Sequence, residues 1–244
     1  ARYKKLQRGI AQTRHFCYQC KGSGKFSGNV CSVCCGEQVL TKESVQELLF
    51  PFFKKSFQCN EMLFHGAGRE DVDVLMLGNG RPFALSLENP LVREVDLESL
   101  QNEINAHLKN KVELRLLERG IALDVEAITQ AYHTKRYRAL VSSTEKIIPS
   151  ALDSFIGKKM DVLQTTPTRV EKRRSMKERP HWVVVEKVIP KSPHELEIFI
   201  HTSAGCYVKE FISGDNGRSI PSISSWLNVS CVCKELDVLE IVDV

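Results

Sequence analysis

No stretch of this chain is apolar for long enough to cross a bilayer as a helix. The longest apolar runs, such as 182-WVVV-185, fall far short of the ~20 residues a span requires, so no membrane partner is expected. The start of the chain is equally poor in apolar residues: 2-RYKKLQR-8 is basic and polar and holds no signal core. On that ground the protein is expected to be intracellular, in the nucleus or the cytoplasm, where thiols stay reduced. A strong net charge is also lacking. The 34 basic residues face 30 acidic ones, and a balance of +4 is too mild to mark a nucleic-acid binder by itself. There is no internal repeat, and no biased tract apart from 169-RVEKRRSMKER-179. The chain begins at Ala1 rather than Met, and a fragment of something longer is expected.

What is present is unevenly placed. Basic residues gather in 2-RYKKLQR-8, at Lys54 and Lys55, in 133-HTKRYR-138 and in 169–179. Residues 1–40 are rich in Gly and Cys and lack helix or strand periodicity, whereas 41-TKESVQELLFPFF-53 opens on a cap-like Thr and turns amphipathic. The segments 83-FALSLEN-89 and 196-LEIFIHT-202 alternate as half-buried strands, and 182-WVVVEKVI-189 resembles a more buried one. Leu97, Leu100, Ile104 and Leu108 recur at helical spacing behind Asp96, a candidate N-cap. Strands interrupted by helices at uneven intervals predict an α+β fold with a mixed sheet, not a regular βαβ array. The expected division is a cysteine-rich element with its linker over 1–40 and one larger domain over 41–244, in a monomer.

Cys17-Tyr-Gln-Cys20 and Cys31-Ser-Val-Cys34 each set two thiols two residues apart, a separation that lets a tight turn present both sulfurs to one tetrahedral ion. Glycines 22, 24 and 36 follow the pairs, as a backbone turning under a metal requires. A structural Zn2+ held by Cys17, Cys20, Cys31 and Cys34 is therefore expected, with Cys35 as a less well spaced substitute for Cys34 and a redox pair as the weaker reading. Four protein ligands leave no open position for substrate. Cys59, Cys206, Cys231 and Cys233 stand in apolar contexts and are read as core.

The densest segment is 66-GAGREDVDVLMLGNGRPFALSLENP-90. Its glycines bound a loop that sets a carboxylate beside an arginine, an arrangement in which Arg69 can hold a phosphate while Asp71 points elsewhere. The plain alternative is a hairpin with a surface cluster of Arg, Glu and Asp. The stretch 205-GCYVKEFIS-213 resembles a short helix entered through a glycine, with Tyr207 and Phe211 on one packing face.

The strings GREDVDV and LGNGRPF resemble the signature of a tRNA pseudouridine synthase family, the Pus ten family. So do, in order, 3-YKKLQR-8 with Gln12 and Thr13, the paired CxxC segments, 44-SVQELL-49, 135-KRYRAL-140, 165-TTPTRVEKRR-174 and 203-SAGCYVKEFISGDNGRSIPSI-223. The resemblance implies a pseudouridine synthase fold, whose largely antiparallel central sheet is flanked by helices and floors an RNA cleft. It implies an isomerase that converts a T-loop uridine of tRNA, position 55 or 54, to pseudouridine with no catalytic cofactor. Asp71 is then the catalytic carboxylate, Tyr137 the aromatic against the target base, and Lys209 the counter-cation of the carboxylate. Arg69, Arg81, Arg169, Lys172, Arg173, Arg174 and Lys177 are the expected phosphate contacts to the T arm. Leu75, Lys172 and Asn216 depart from the family pattern, which leads one to expect a basic residue, a histidine and an aromatic there. A protein that keeps the fold and holds RNA without turnover is the competing expectation.

Overall fold

The structure, a computed structural model, describes residues 1–173 and 175–243. The chain folds as two compact units, Ala1–Ala131 and Tyr132–Val244. Every pairing between named strands is antiparallel within each unit. Parallel pairing within a unit appears among the described residues only in isolated bridges.

In the first unit β1 (Arg2–Lys5) is followed by the small hairpin β2 (Lys25–Phe26) and β3 (Asn29–Val30) of the cysteine region. Then come α1 (Val45–Phe57), β4 (Glu61–Gly66), the long β5 (Leu75–Glu88), α2 (Leu97–Leu108), β6 (Val112–Arg115) and α3 (Ala122–Gln130). β5 organises the sheet: its far end pairs with β4, from Gly66 opposite Phe83 to Glu61 opposite Glu88. Its near end pairs with β1, which pairs with β6 on its other side. Between Tyr3 opposite Arg81 and Lys5 opposite Met76 the register slips, and residues 77–80 of the GNG segment bulge out. Gly80 is obligatory there: its φ is +76°, and an added Cβ would stand 2.8 Å from the Tyr3 carbonyl oxygen.

β1 corrects the reading of residues 1–40 as lacking periodicity. Tyr3 and Lys5 alternate inward from Arg2 and Lys4, and the inward pair reaches the core. Tyr3 packs edge-on against Phe64 and Phe83, which stack on one another at 5.1 Å. α1 closes this core with Val45, Leu49 and Phe53, and α2 with Leu100 and Ile104. The cap of α1 is Ser44, not Thr41: its hydroxyl accepts from Glu47 N and donates to the Glu47 carboxylate. Asp96 caps α2 as expected, accepting from Glu98 N and Ser99 N at 3.1 Å each.

The second unit is a six-stranded sheet in the order β11 (Ser219–Ile220), β8 (Lys159–Thr165), β9 (Glu178–Ser192), β10 (Glu195–Thr202), β7 (His133–Ser142), β12 (Val232–Asp243). Alternation on β10 buries Leu196, Ile198 and Ile200, and on β7 Tyr137, Ala139 and Val141. α4 (Val208–Ser213) packs on β12 and on α5 (Ile223–Leu227). Its buried Phe211 meets the Trp226 ring edge-on, and Trp226 stacks on Phe155 at 4.2 Å. Among the described residues no helix is long and apolar enough to cross a membrane.

Candidate active site

Asp71 stands in the loop between β4 and β5, half-buried, and the loop is gripped from behind at almost every residue. Arg81, projecting from β5, donates to the Ala67 carbonyl at 2.6 Å and to the Glu70 carboxylate at 3.1 Å. Lys5, projecting inward from β1, donates to the carbonyls of Val72 at 2.9 Å, Asp71 at 3.3 Å and Ile10 at 2.9 Å. Gly9 N also donates to Val72 O, Arg8 Nη1 to Asp73 O, and Val74 N back to Asp71 O, which closes a turn. Both cations are inside the protein: Arg81 is 1% exposed and Lys5 6%.

Behind the loop lies a small cavity lined by Tyr3, Lys5, Gln12, Glu70, Val74, Met76 and Arg81, with room for about one water molecule. Burial pushes the Tyr3 phenol up to about 12 and keeps it a donor, and it bonds Gln12 Oε1 at 2.9 Å. Burial, reinforced by Arg81, pulls the Lys5 ammonium down to about 8.

The inward turn of Arg81 gives it a role different from the phosphate contact expected from its sequence. Its guanidinium serves the loop. Arg81→Met removes the cation from a pair whose arginine side chain is 1% and whose glutamate side chain is 17% exposed. Because the loop loses this largely buried pair and the bond to Ala67, a loss of about 3 kcal/mol in unfolding free energy is expected, measured by denaturant titration.

Tyr137, 3% exposed, projects from the buried face of β7, directly between Ile200 of β10 and Val238 of β12. Lys209 is half-buried in the first turn of α4. Asp71 belongs to the first unit, and Tyr137 and Lys209 to the second. Arg69 and Lys177 are exposed. Arg169 directs Nε to Glu210 Oε1 at 2.6 Å, and Glu210 is 6% exposed. Arg174 and the side chains of Lys172 and Arg173 lie outside the described residues.

The basic segment between β8 and β9 is tied to the turn after α4. Thr168 N donates to Asp215 Oδ2 at 2.9 Å, and Arg218 joins the Thr166 carbonyl at 3.1 Å to the Glu171 carboxylate at 2.8 Å. Lys5, Glu210 and Arg218 were not singled out from sequence. The alternation of Tyr3 and Lys5 within RYKK is the one signal that marks Lys5 as inward.

The four expected cysteine ligands come together. Cys17 and Cys31 are fully buried, Cys20 and Cys34 nearly so, and their sulfurs all lie within 4.8 Å of one another. Sγ–Sγ separations are 3.7 Å for Cys17 and Cys31 and 3.6 Å for Cys20 and Cys34. Metal–sulfur bonds of ~2.3 Å at tetrahedral angles put sulfurs about 3.8 Å apart, so the donor set fits Zn2+. Burial opposes ionisation of Cys20, but amide N–H groups of Gly24 and Gly22 outweigh it and bring the thiol down to about 6. Burial pushes Cys34 up to about 11, with the Cys20 sulfur adding to the effect. Four sulfurs can all become thiolates here only with a cation between them.

The family model described as "Pus10, C-terminal" matches residues 1–242. The chain belongs to the Pus10 family. Three curated Pus10 relatives carry the name tRNA pseudouridine synthase Pus10. The one from Methanocaldococcus jannaschii is 41% identical over 245 residues, covering 99% of this chain and 52% of that protein. Those from Methanopyrus kandleri and Halorubrum lacusprofundi are 39% and 38% identical, covering 99% and 98% of this chain and 55% and 57% of theirs. The chain thus spans about half the length of these Pus10 relatives. Among solved structures, one from a Cbf5–Nop10–Gar1 complex superposes with a TM-score of 0.44 at 17% identity, covering 78% of this chain and 43% of that one. No inference about activity follows from a likeness of that size.

Proposed function

We propose that this chain carries the reaction centre of a tRNA pseudouridine synthase, which isomerises a T-loop uridine, position 55 or 54, through Asp71. The reading rests on one observation: a chain 41% identical, over nearly its whole length, to a protein named for that activity holds the aspartate of its GRED segment in a loop braced from behind by two buried cations. The reaction breaks the bond from uracil N1 to ribose C1′, turns the base, joins C5 to C1′ and moves the C5 proton to N1. No electron acceptor is involved, and no catalytic cofactor is called for. Asp71 supplies the ionised carboxylate that acts as nucleophile or base. Tyr137 as the aromatic for the extruded base and Lys209 as the counter-cation are the roles that the family resemblance implies. A uridine stacked within a folded loop must first be flipped out, which demands a hold on the surrounding backbone. Exposed Arg69 and Lys177 supply part of that hold. A tRNA substrate places the protein inside the cell.

The test is incubation with an unmodified tRNA transcript, followed by mapping of pseudouridine. Product at a T-loop uridine supports the reading. RNA bound without product at any position sinks it in favour of a non-catalytic RNA-binding protein. The phosphate contacts have a separate signature. Lys177→Ala is expected to weaken tRNA binding and to lower the slope of log affinity against log salt by about one, with the rate at saturating RNA unchanged. Filter binding across a salt series reads both.

A further inference from the structure

We propose that Lys5 is a positioning residue for the Asp71 loop: its buried ammonium ties the backbone of Asp71 and Val72 to β1 and so sets where the Asp71 carboxylate stands. This inference rests on the reading of Asp71 as the catalytic group.

An ammonium has three protons to give. Lys5 has three acceptors, the carbonyl oxygens of Ile10 and Val72 at 2.9 Å and of Asp71 at 3.3 Å. None of them is a carboxylate. A buried cation that spends all its donors on neutral carbonyls is an expensive way to tether a loop, since no carboxylate takes a hydrogen bond from it to offset the desolvation penalty. An apolar side chain of the same length would fill the space. What the ammonium adds is convergence: it draws three peptide groups, two of them at the catalytic position, onto one point fixed by a central strand. The β1 pairing fixes that point from both sides, with Lys5 opposite Met76 on β5 and Val112 on β6.

Other groups brace the loop at neighbouring points and share Val72 with Lys5. Arg8 and Gly9 hold Asp73 and Val72, and Arg81 holds Ala67 and Glu70. The Asp71 carbonyl accepts from Val74 N, which lies in the same turn, and from Lys5. The bond from Lys5 ties that residue to β1. Lys5 itself lines the cavity behind the loop, which has room for about one water.

The charged groups facing Lys5 are Arg81 from β5, Arg8 from the segment after β1, and Glu70 and Asp73 from the loop. Burial is the largest influence, the two arginines act with it and the two acids against it, leaving the ammonium near 8. It is therefore charged and tripodal below that pH and loses a donor above it.

Displacement of a reacting group by about 1 Å lowers rate by about 100-fold. Lys5→Met is accordingly expected to lower the rate of pseudouridine formation at saturating tRNA by about 30- to 100-fold, with tRNA affinity within about twofold of wild type. Amide exchange is expected to quicken at residues 70–74 and, in the rest of the first unit, only beside Ile10, the third carbonyl that Lys5 holds. A rate within threefold of wild type overturns the proposal, as does a loss that follows affinity, or unchanged exchange at 70–74. If Lys5→Met does not fold, Lys5→Arg keeps a charge that does not titrate. Wild-type turnover is then expected to fall several-fold as pH rises through about 8, and that of Lys5→Arg to stay level; parallel profiles overturn the proposal. If wild type makes no product on the transcript, the reading of the activity fails, while exchange at 70–74 in Lys5→Met still decides whether Lys5 holds the loop.

Discussion

Asp71→Asn is expected to abolish pseudouridine formation, by about 10³-fold or more, while the variant stays folded and holds tRNA as tightly as wild type. The size follows from what is removed. A carboxylate acting as base or nucleophile contributes a factor of this order, and an amide of the same shape can do neither. The selectivity follows from how the loop is built. The bonds of Lys5, Gly9 and Arg8 end on backbone carbonyls of residues 71–73, and those of Arg81 on the Ala67 carbonyl and on Glu70. None of these is altered by the exchange of one side-chain oxygen for nitrogen. On the proposal that exposed cations elsewhere on the chain make the phosphate contacts, Kd is expected within about twofold. Single-turnover assays at saturating chain, with thermal melting of both proteins, decide it. Product from Asp71→Asn within tenfold of wild type removes Asp71 from the mechanism. Equal loss of melting temperature and RNA binding shows that the residue serves the fold.

Elements with a strong local pattern were legible. α2 has an apolar stripe behind a capping aspartate, and β10 alternates cleanly, because each buries one face against the core of its own unit. The cysteine cluster was legible for the same reason, since all four ligands fall within 18 residues and their spacing alone constrains the turns. Lys5 was not. In 2-RYKKLQR-8 it is one of four cations, and the groups that give it purpose are carbonyl oxygens at residues 71 and 72, which no side chain advertises. Arg81 misleads in the opposite sense. A guanidinium after two glycines resembles a phosphate ligand, but the bulge that Gly80 permits lays this residue opposite Tyr3 and turns it inward onto Glu70. The capping error on α1 is smaller and instructive. TKES offers two hydroxyls, and only Ser44 stands three residues before a glutamate. The braces behind the Asp71 loop depend on which faces of β1 and β5 meet, a matter of register that local spacing does not carry.

Removal of metal is expected to unfold residues 14–40 as a unit and to leave the rest of the first unit standing. The segment has almost no core besides its sulfurs: Cys17, Cys20, Cys31 and Cys34 pack with Val33, while Phe16, Tyr18, Phe26 and Val30 are each about half exposed or more. So little apolar burial cannot offset the ordering of 27 residues at ~1–2 kcal/mol of backbone entropy each. A tetrathiolate zinc centre can, with apparent binding free energies of ~10–16 kcal/mol in small zinc modules. The damage stops at the base of the excursion. The chain leaves and returns side by side, with Ala11 N bonded to Glu43 O, Val45 N to Ala11 O and Gln46 N to Gln12 O, and these bonds do not depend on the sulfurs. Cys31→Ser, or dialysis against a strong chelator, is therefore expected to release one zinc per chain and to remove amide protection within 14–40, while α1 and β1 keep theirs. Lowering the pH into the range where thiolates protonate should release the same ion, since the ligands bind only when deprotonated. Atomic absorption gives the stoichiometry and hydrogen exchange the extent. Protection that persists across 14–40 after the metal has gone would show that the turns hold without it. Loss that spreads through α1 into β1 would show instead that the cysteine centre supports the strand from which Lys5 reaches the Asp71 loop.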